Sequence, residues 1–144
     1  GTSRRKGKHH YLNLLEFDDF DELPESDIYY LCAGANGAKR CEGSQDGFRL
    51  NVDVPIGLAN YVGKWGGFLV WISSMSIEWC DGAYQRQKLA AETVLRTMSH
   101  VGTVRAGRVT RDNLDDLCKT MMDVGENWVS GVTRWGTDDI SYQK

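Results

Sequence analysis

Two serines and a tyrosine–lysine pair carry the clearest chemical possibility in this sequence. Ser73-Ser74 closes an apolar run, and Tyr84-Gln85-Arg86-Gln87-Lys88 follows after nine intervening residues. In a helix, Tyr84 and Lys88 stand four residues apart and share one face. An ammonium beside a phenol favours the phenolate, so Lys88 is expected to lower the Tyr84 pKa from its ordinary value of ~10. The phenol could then serve as a general acid or base near neutral pH. A Ser hydroxyl at the C-terminal end of a strand can hold a substrate oxygen while the phenol moves its proton. Open α/β sheets bind their ligands at that edge. The plainer reading of the same residues is a surface phenol, a solvated lysine and two serines capping a strand.

The elements that must position these groups are legible in the hydrophobic pattern. Phe68–Ile72 (FLVWI) is a continuous apolar run between Gly66-Gly67 and Ser73-Ser74, the signature of a buried strand. Ile28–Ala33 (IYYLCA) reads the same way, apolar on both faces as in a parallel sheet. Tyr84–His100 predicts an amphipathic helix, with Leu89, Val94, Leu95 and Met98 on its apolar face. Asn36–Gly47 is polar and Gly-rich, a loop or frayed helix. Phe48–Trp65 fits alternation and helical spacing alike, but Pro55 opposes a central strand and favours a helix kinked or restarted there. Val101–Val109 predicts a short strand interrupted by Gly107. Asn113–Val124 predicts a helix, with Asp112 or Asn113 capping its start and Gly125 its end. Trp128–Trp135 predicts a last strand. Alternating strands and helices imply an α/β fold with parallel strands and right-handed crossovers.

Composition sets the bounds. The 144 residues suit a single domain, and 17 basic against 20 acidic residues give a formal charge of −3. That balance excludes a strongly basic nucleic-acid module. No apolar run reaches the ~20 residues of a membrane helix, and the basic, polar first ten residues carry no expectation of a signal peptide. The cysteines, at 32, 41, 80 and 118, form no C-x-x-C pair, which argues against zinc. Cys32, inside an apolar run, is expected to be a buried small hydrophobe. A reducing, cytoplasmic setting is expected, because a chain of this size needs no disulfide framework. His9 and His10 have no third ligand in view, so no metal site is expected. The carboxylates of Asp18–Glu22 read as a solvated turn, and the five tryptophans as core or interface.

The order of strand, Ser-Ser, Tyr-x-x-x-Lys, amphipathic helix and a strand ending Arg105-Ala106-Gly107 resembles the extended short-chain dehydrogenase/reductase superfamily. It looks most like the sugar-nucleotide branch, with its NAD(P)-dependent epimerases, dehydratases and dTDP-dehydrorhamnose reductases. The resemblance implies a Rossmann-like three-layer sandwich with a mostly parallel sheet, here a single reduced domain over residues 1–144. It implies Ser74, Tyr84 and Lys88 as the catalytic set: Ser74 orients the substrate oxygen, Tyr84 transfers the proton, and Lys88 also holds the nicotinamide ribose. Tyr30–Ala35 resembles the family's fourth strand and the small-residue turn beside the dinucleotide, which assigns Ala33, Gly34 and Ala35 to the cofactor. Ala106 and Gly107 resemble the strand end that lies against the nicotinamide. Arg4 and Arg5 resemble the end of the second strand, where basic residues meet the 2′-phosphate, so NADP is favoured over NAD. Leu14 falls near the adenine contact, although Asn13 stands where the family has Asp. Asn51–Ala59 resembles a family helix, which resolves Phe48–Trp65 as helical.

The departures are equally specific. The sequence contains no first strand with a G-x-x-G-x-x-G turn, the element that brings a pyrophosphate onto a helix N-terminus. The substrate lobe is mostly missing. A chain that begins with Gly1 could be a piece of a longer enzyme, or a naturally shortened protein that lost cofactor binding. The implied function is therefore an NAD(P)-dependent sugar-nucleotide reductase or epimerase, or a derivative of one. The rivals are a non-catalytic Rossmann-like binding or assembly protein and a binder of another nucleotide-like small molecule. A homo-oligomer is expected, since a reduced sheet leaves edges to cover. Neither nucleic acid nor membrane is an expected partner.

Overall fold

A computed structural model of the chain describes residues 2–3, 10–11, 13–15, 20, 23–35, 41–43 and 45–136. Two short strands, β1 (Thr2–Ser3) and β2 (His10–Tyr11), pair in parallel. The main sheet has four strands: β3 (Ile28–Leu31), β4 (Phe68–Ser74), β5 (Val101–Ala106) and β6 (Gly131–Trp135). They lie in the order β3-β4-β5-β6, and all are parallel. Helices fill the crossovers. A short helix α1 (Gln45–Phe48) runs through a π-helical stretch, Arg49–Asp53, into α2 (Val54–Lys64). A 3₁₀ turn, Met75–Glu78, leads from β4 towards α3 (Ala83–Leu95), and α4 (Leu114–Glu126) joins β5 to β6. Among the described residues, no helix is long and apolar enough to cross a membrane.

The alternation of side chains along β4 builds two cores. Leu69 and Trp71 pack with Leu58 and Val62 of α2 and with Ala91 and Leu95 of α3. Phe68 and Val70 face the other way, onto Leu117, Met121 and Val124 of α4. The result is a three-layer α/β/α sandwich, the Rossmann-like arrangement that the strand–helix alternation implies.

Several element ends differ from the sequence reading. Helix α3 stops at Leu95 rather than His100, because Thr97 and Met98 tighten the last turn onto the carbonyls of Val94 and Leu95. Strand β5 ends at Ala106, where the Gly107 N–H still reaches the Trp135 carbonyl at 2.8 Å. Helix α2 restarts at Val54, with Pro55 in its first turn, where a missing N–H costs nothing. Gly125 does not end α4. It lies buried inside the helix, which runs on to Glu126, and Trp128 takes the left-handed turn instead (φ 49°). Asn113 precedes α4 without capping it, since its side chain bonds Thr110 N–H and the Arg108 carbonyl. Strand β3 is not buried on both faces. It is an edge of the four-stranded sheet, with Tyr30 exposed. Cys32 is exposed as well, because the chain leaves the sheet after Leu31.

Gly102 marks the tightest joint between β5 and α4. A Cβ there would fall 2.5 Å from the Val129 carbonyl oxygen and 2.6 Å from Val124 Cγ1. Gly102→Ala is therefore expected to lower stability by about 1–3 kcal/mol. Urea unfolding of the two proteins checks this, and an unchanged midpoint would contradict the packing.

Candidate functional site

The C-terminal ends of β3, β4 and β5 meet the first two turns of α3 at one edge of the sheet. Register fixes the strand side of this edge: Ser74 lies opposite Ala106, and Leu31 opposite Trp71. Strand parity separates the two serines. Ser73 is buried and donates to Glu92 Oε2 at 2.8 Å, a structural bond to α3. Ser74 closes the strand, accepts the Ser76 N–H at 3.1 Å and hydrogen-bonds the Tyr84 phenol. The Ser74 and Ser76 hydroxyls are 2.8 Å apart, and Gln85 donates to the latter. The hydroxyl beside the phenol is thus Ser74.

Tyr84 and Lys88 share a face of α3, as their spacing requires. Lys88 is only 5 % exposed. Its Nζ donates to the Ile72 carbonyl at 3.0 Å and lies 4.8 Å from the Trp71 ring centroid and 5.8 Å from that of Tyr84. Burial of the ammonium pushes the Lys88 pKa down to about 8, against a smaller opposing effect of the Cys41 thiol. The expected lowering of the Tyr84 phenol does not occur. Burial raises its pKa, only partly opposed by the Ser74 hydrogen bond. The reason is geometric: the lysine nitrogen turns to a backbone carbonyl and sits over the face of the tyrosine ring, not beside its oxygen. Tyr84 is accordingly a protonated phenol at neutral pH, a donor before it is a base.

The turn after β3 is held against this pair by a residue that the sequence reading treated only as a helix opening. Asn51, fully buried in the π-helical stretch, clasps both backbone groups of Ala35. Its Oδ1 accepts the Ala35 N–H at 3.0 Å, and its Nδ2 donates to the Ala35 carbonyl at 2.8 Å. The second Nδ2 proton reaches Gln87 Oε1 at 2.9 Å, and Gln87 in turn donates to the Cys41 carbonyl. Gly34 packs tightly here: a Cβ would fall 3.1 Å from Asn51 Oδ1, so the clasping amide would have to give by a few tenths of an ångström. The sequence did hold a signal: a lone amide between Leu50 and Val52 must bond something once buried. Glu92 was missed in the same way, although it continues the stripe of Tyr84 and Lys88 by one more turn.

The remaining candidates divide. Leu14 and Ala33 line a cavity of about 580 Å³ along β3, where Phe20, Leu31 and Leu58 form part of the wall. The Leu14 carbonyl accepts from Arg49 Nε at 3.3 Å. Gly34 and Ala35 belong to the clasped turn beside Lys88. Ala106 is buried at the end of β5, and Gly107 lies against Gly136. Arg4 and Arg5 lie outside the described residues.

No protein-family model matches the sequence, and no curated protein does. Solved structures match its fold. One is a hypothetical dTDP-4-dehydrorhamnose reductase from Sulfolobus tokodaii, with a TM-score of 0.65 and 12% identity over 78% of this chain and 56% of its own. RMD from Pseudomonas aeruginosa, complexed with NADPH, matches with a TM-score of 0.55 and 20% identity over 69% of this chain and 43% of its own. A dTDP-4-dehydrorhamnose reductase from Bacillus anthracis, in complex with NADP, has a TM-score of 0.57 and 14% identity over 78% and 56%. The chain spans about half the length of these proteins. At such identities the likeness is one of fold: a Rossmann-like α/β domain, shared with dTDP-4-dehydrorhamnose reductases and related enzymes.

The depressed Lys88 pKa has a measurable sign. The folded chain loses this proton near pH 8, the unfolded chain near the ordinary 10.5. The cost of burying the charge is fully present below pH 8 and is relieved as pH rises towards 10.5. The stability difference between wild type and Lys88→Met should therefore shift in favour of wild type by roughly 3 kcal/mol across that window. Urea unfolding at pH 7.5 and pH 10 measures it, and a pH-independent difference would refute the assignment.

Proposed function

We propose that this chain contributes the proton-donating half of an NAD(P)-dependent reductase acting on a nucleotide-linked keto sugar. The observation that carries this reading is the meeting of Ser74, Tyr84 and Lys88 at the C-terminal edge of a parallel sheet. A ketone accepting hydride needs a proton at its oxygen. Tyr84, held protonated by burial, supplies it, and Ser74 holds the same oxygen in line. Lys88 keeps two N–H donors beyond the one bound to Ile72, which suits ribose hydroxyls. The small turn Ala33–Ala35 and the Ala106–Gly107 corner would flank the nicotinamide, and Arg4 and Arg5 would meet a 2′-phosphate. The cofactor, when bound, supplies the hydride. A structural neighbour named as a dTDP-4-dehydrorhamnose reductase and solved with NADP, and another solved with NADPH, support this reading.

A second reading rests on one sequence fact. Residues 1–144 contain no G-x-x-G-x-x-G turn, so the pyrophosphate has no matching cradle in this chain. A Rossmann-like protein that binds or assembles without catalysis would keep the sheet and dispense with that turn.

Titration with NADPH, read by tryptophan quenching, separates the two. Micromolar binding that Lys88→Met weakens at least about tenfold supports the reductase. With dTDP-4-dehydrorhamnose as probe, Tyr84→Phe should keep binding and lose about 100-fold or more in turnover, the usual range for removing a general acid. No binding at millimolar NADPH would overturn the reductase reading for this chain.

A further inference from the structure

Two exposed thiols, Cys32 just past the end of β3 and Cys118 on α4, lie on the side of the sheet away from Tyr84. Ile28 and Tyr30 pair with Phe68 and Val70 and share the face of β3 that meets α4. Cys32, two residues beyond Tyr30, continues that face just past the last ladder pair, where the sheet no longer holds its backbone. On α4 the contact point is Gly125, where a Cβ would lie 3.0 Å from Ile28 Cγ2 and 2.5 Å from the Tyr30 hydroxyl. Cys118 lies seven residues earlier, two turns back along the same stripe.

The spacings agree. The crossover helix runs antiparallel to the strands, so moving back along α4 is moving forward along β3. From Ile28 to Cys32 is about 13 Å of strand, and from Gly125 to Cys118 about 10 Å of helix. Gly125 also lets the helix ride close to the strand, as a disulfide requires, with its Cα atoms no more than ~7 Å apart. Both cysteines are free and exposed. Packing on one side raises the Cys32 pKa, and the neighbouring Cys118 thiol raises it further, a sign that the two groups sense each other.

We propose that Cys32 and Cys118 form a redox-reactive dithiol that closes to an intrachain disulfide between the end of β3 and α4. The oxidant is a low-molecular-weight disulfide. One protein thiolate attacks it, forming a mixed disulfide and releasing one small thiol. The second protein thiolate then attacks the protein sulfur of that mixed disulfide and releases the other. Two protein thiols are oxidised, one small disulfide is reduced to two thiols, and their hydrogens are conserved. The bridge would tether the residue before Ala33-Gly34, and so the turn that Asn51 clasps.

The full chain, equilibrated with glutathione and glutathione disulfide and quenched with acid, tests this. Under oxidising mixtures, the denatured chain should fall from its four thiols to two, with no added mass beyond the loss of two hydrogens. Peptide mapping should join Cys32 to Cys118. Cys80→Ser should leave the bridge intact, whereas Cys32→Ser and Cys118→Ser should each leave glutathione on the remaining partner. Circular dichroism of each variant confirms its fold, and wild-type mapping stands without the variants. Four persistent thiols, glutathione on both residues without a link, a different cysteine pair or a link between chains would each overturn the proposal.

Discussion

A carboxylate with no solvent contact must be answered by fixed donors, and the architecture around the site follows from how Glu92 is answered. Its side chain is fully buried in α3. Ser73 at the end of β4 donates to one oxygen, and Arg105 in β5 pairs with the other. Arg105 also approaches Glu78 in the 3₁₀ turn at 3.9 Å, and Glu78 is held by Arg134 of β6 at 3.0 Å. One charge on a helix is thereby tied to three strands. Such pairs roughly offset the desolvation they require, so their effect is to select one arrangement, not to add much stability. Here the arrangement selected is the depth and rotation of α3. Tyr84 and Lys88 lie two turns and one turn before Glu92 on the same face, and they inherit its placement.

The clasp of Asn51 on Ala35 does the same for the opposing wall. A side-chain amide offers one acceptor and two donors, and here it imitates the hydrogen bonding of a neighbouring strand where β3 has run out. The turn that follows β3 is held like a strand without being one. Its glycine leaves room for the Asn51 amide, with Lys88 Nζ close by. Lys88 is thus enclosed by a carbonyl, two aromatic faces and a fixed turn.

What was legible in the sequence was whatever depends on short-range periodicity. FLVWI read as a buried strand, and a Tyr and a Lys four apart on a predicted helix had to share a face. The α/β alternation gave the layers. What was not legible depends on partners distant in the chain. The direction of the Tyr84 shift turns on burial of its phenol, which outweighs the Ser74 hydrogen bond, while Lys88 donates to Ile72, sixteen residues away on a strand. The separation of Ser73 from Ser74 turns on Glu92. Cys32 looked like core because its run is apolar, but the strand holding it lies at an edge and ends one residue earlier. Gly125 looked like a helix stop, because sequence alone does not reveal that a tyrosine and an isoleucine press against its bare Cα.

All four strands of the main sheet are parallel, and this constrains how the molecule reaches its native form. No hairpin can start such a sheet, since every pairing needs a crossover through a helix. Ile28 pairs with Phe68 and Leu69 with Val101, so tens of residues must be closed into a loop before the first ladder bond forms. Topologies dominated by distant pairings fold slowly, because loop entropy is lost before contact is gained. Ser74, Ala106 and the turn at Gly34 belong to three different strand ends. None of them is near the others in the unfolded chain, so the edge that gathers them exists only once both crossovers between β3 and β5 have closed.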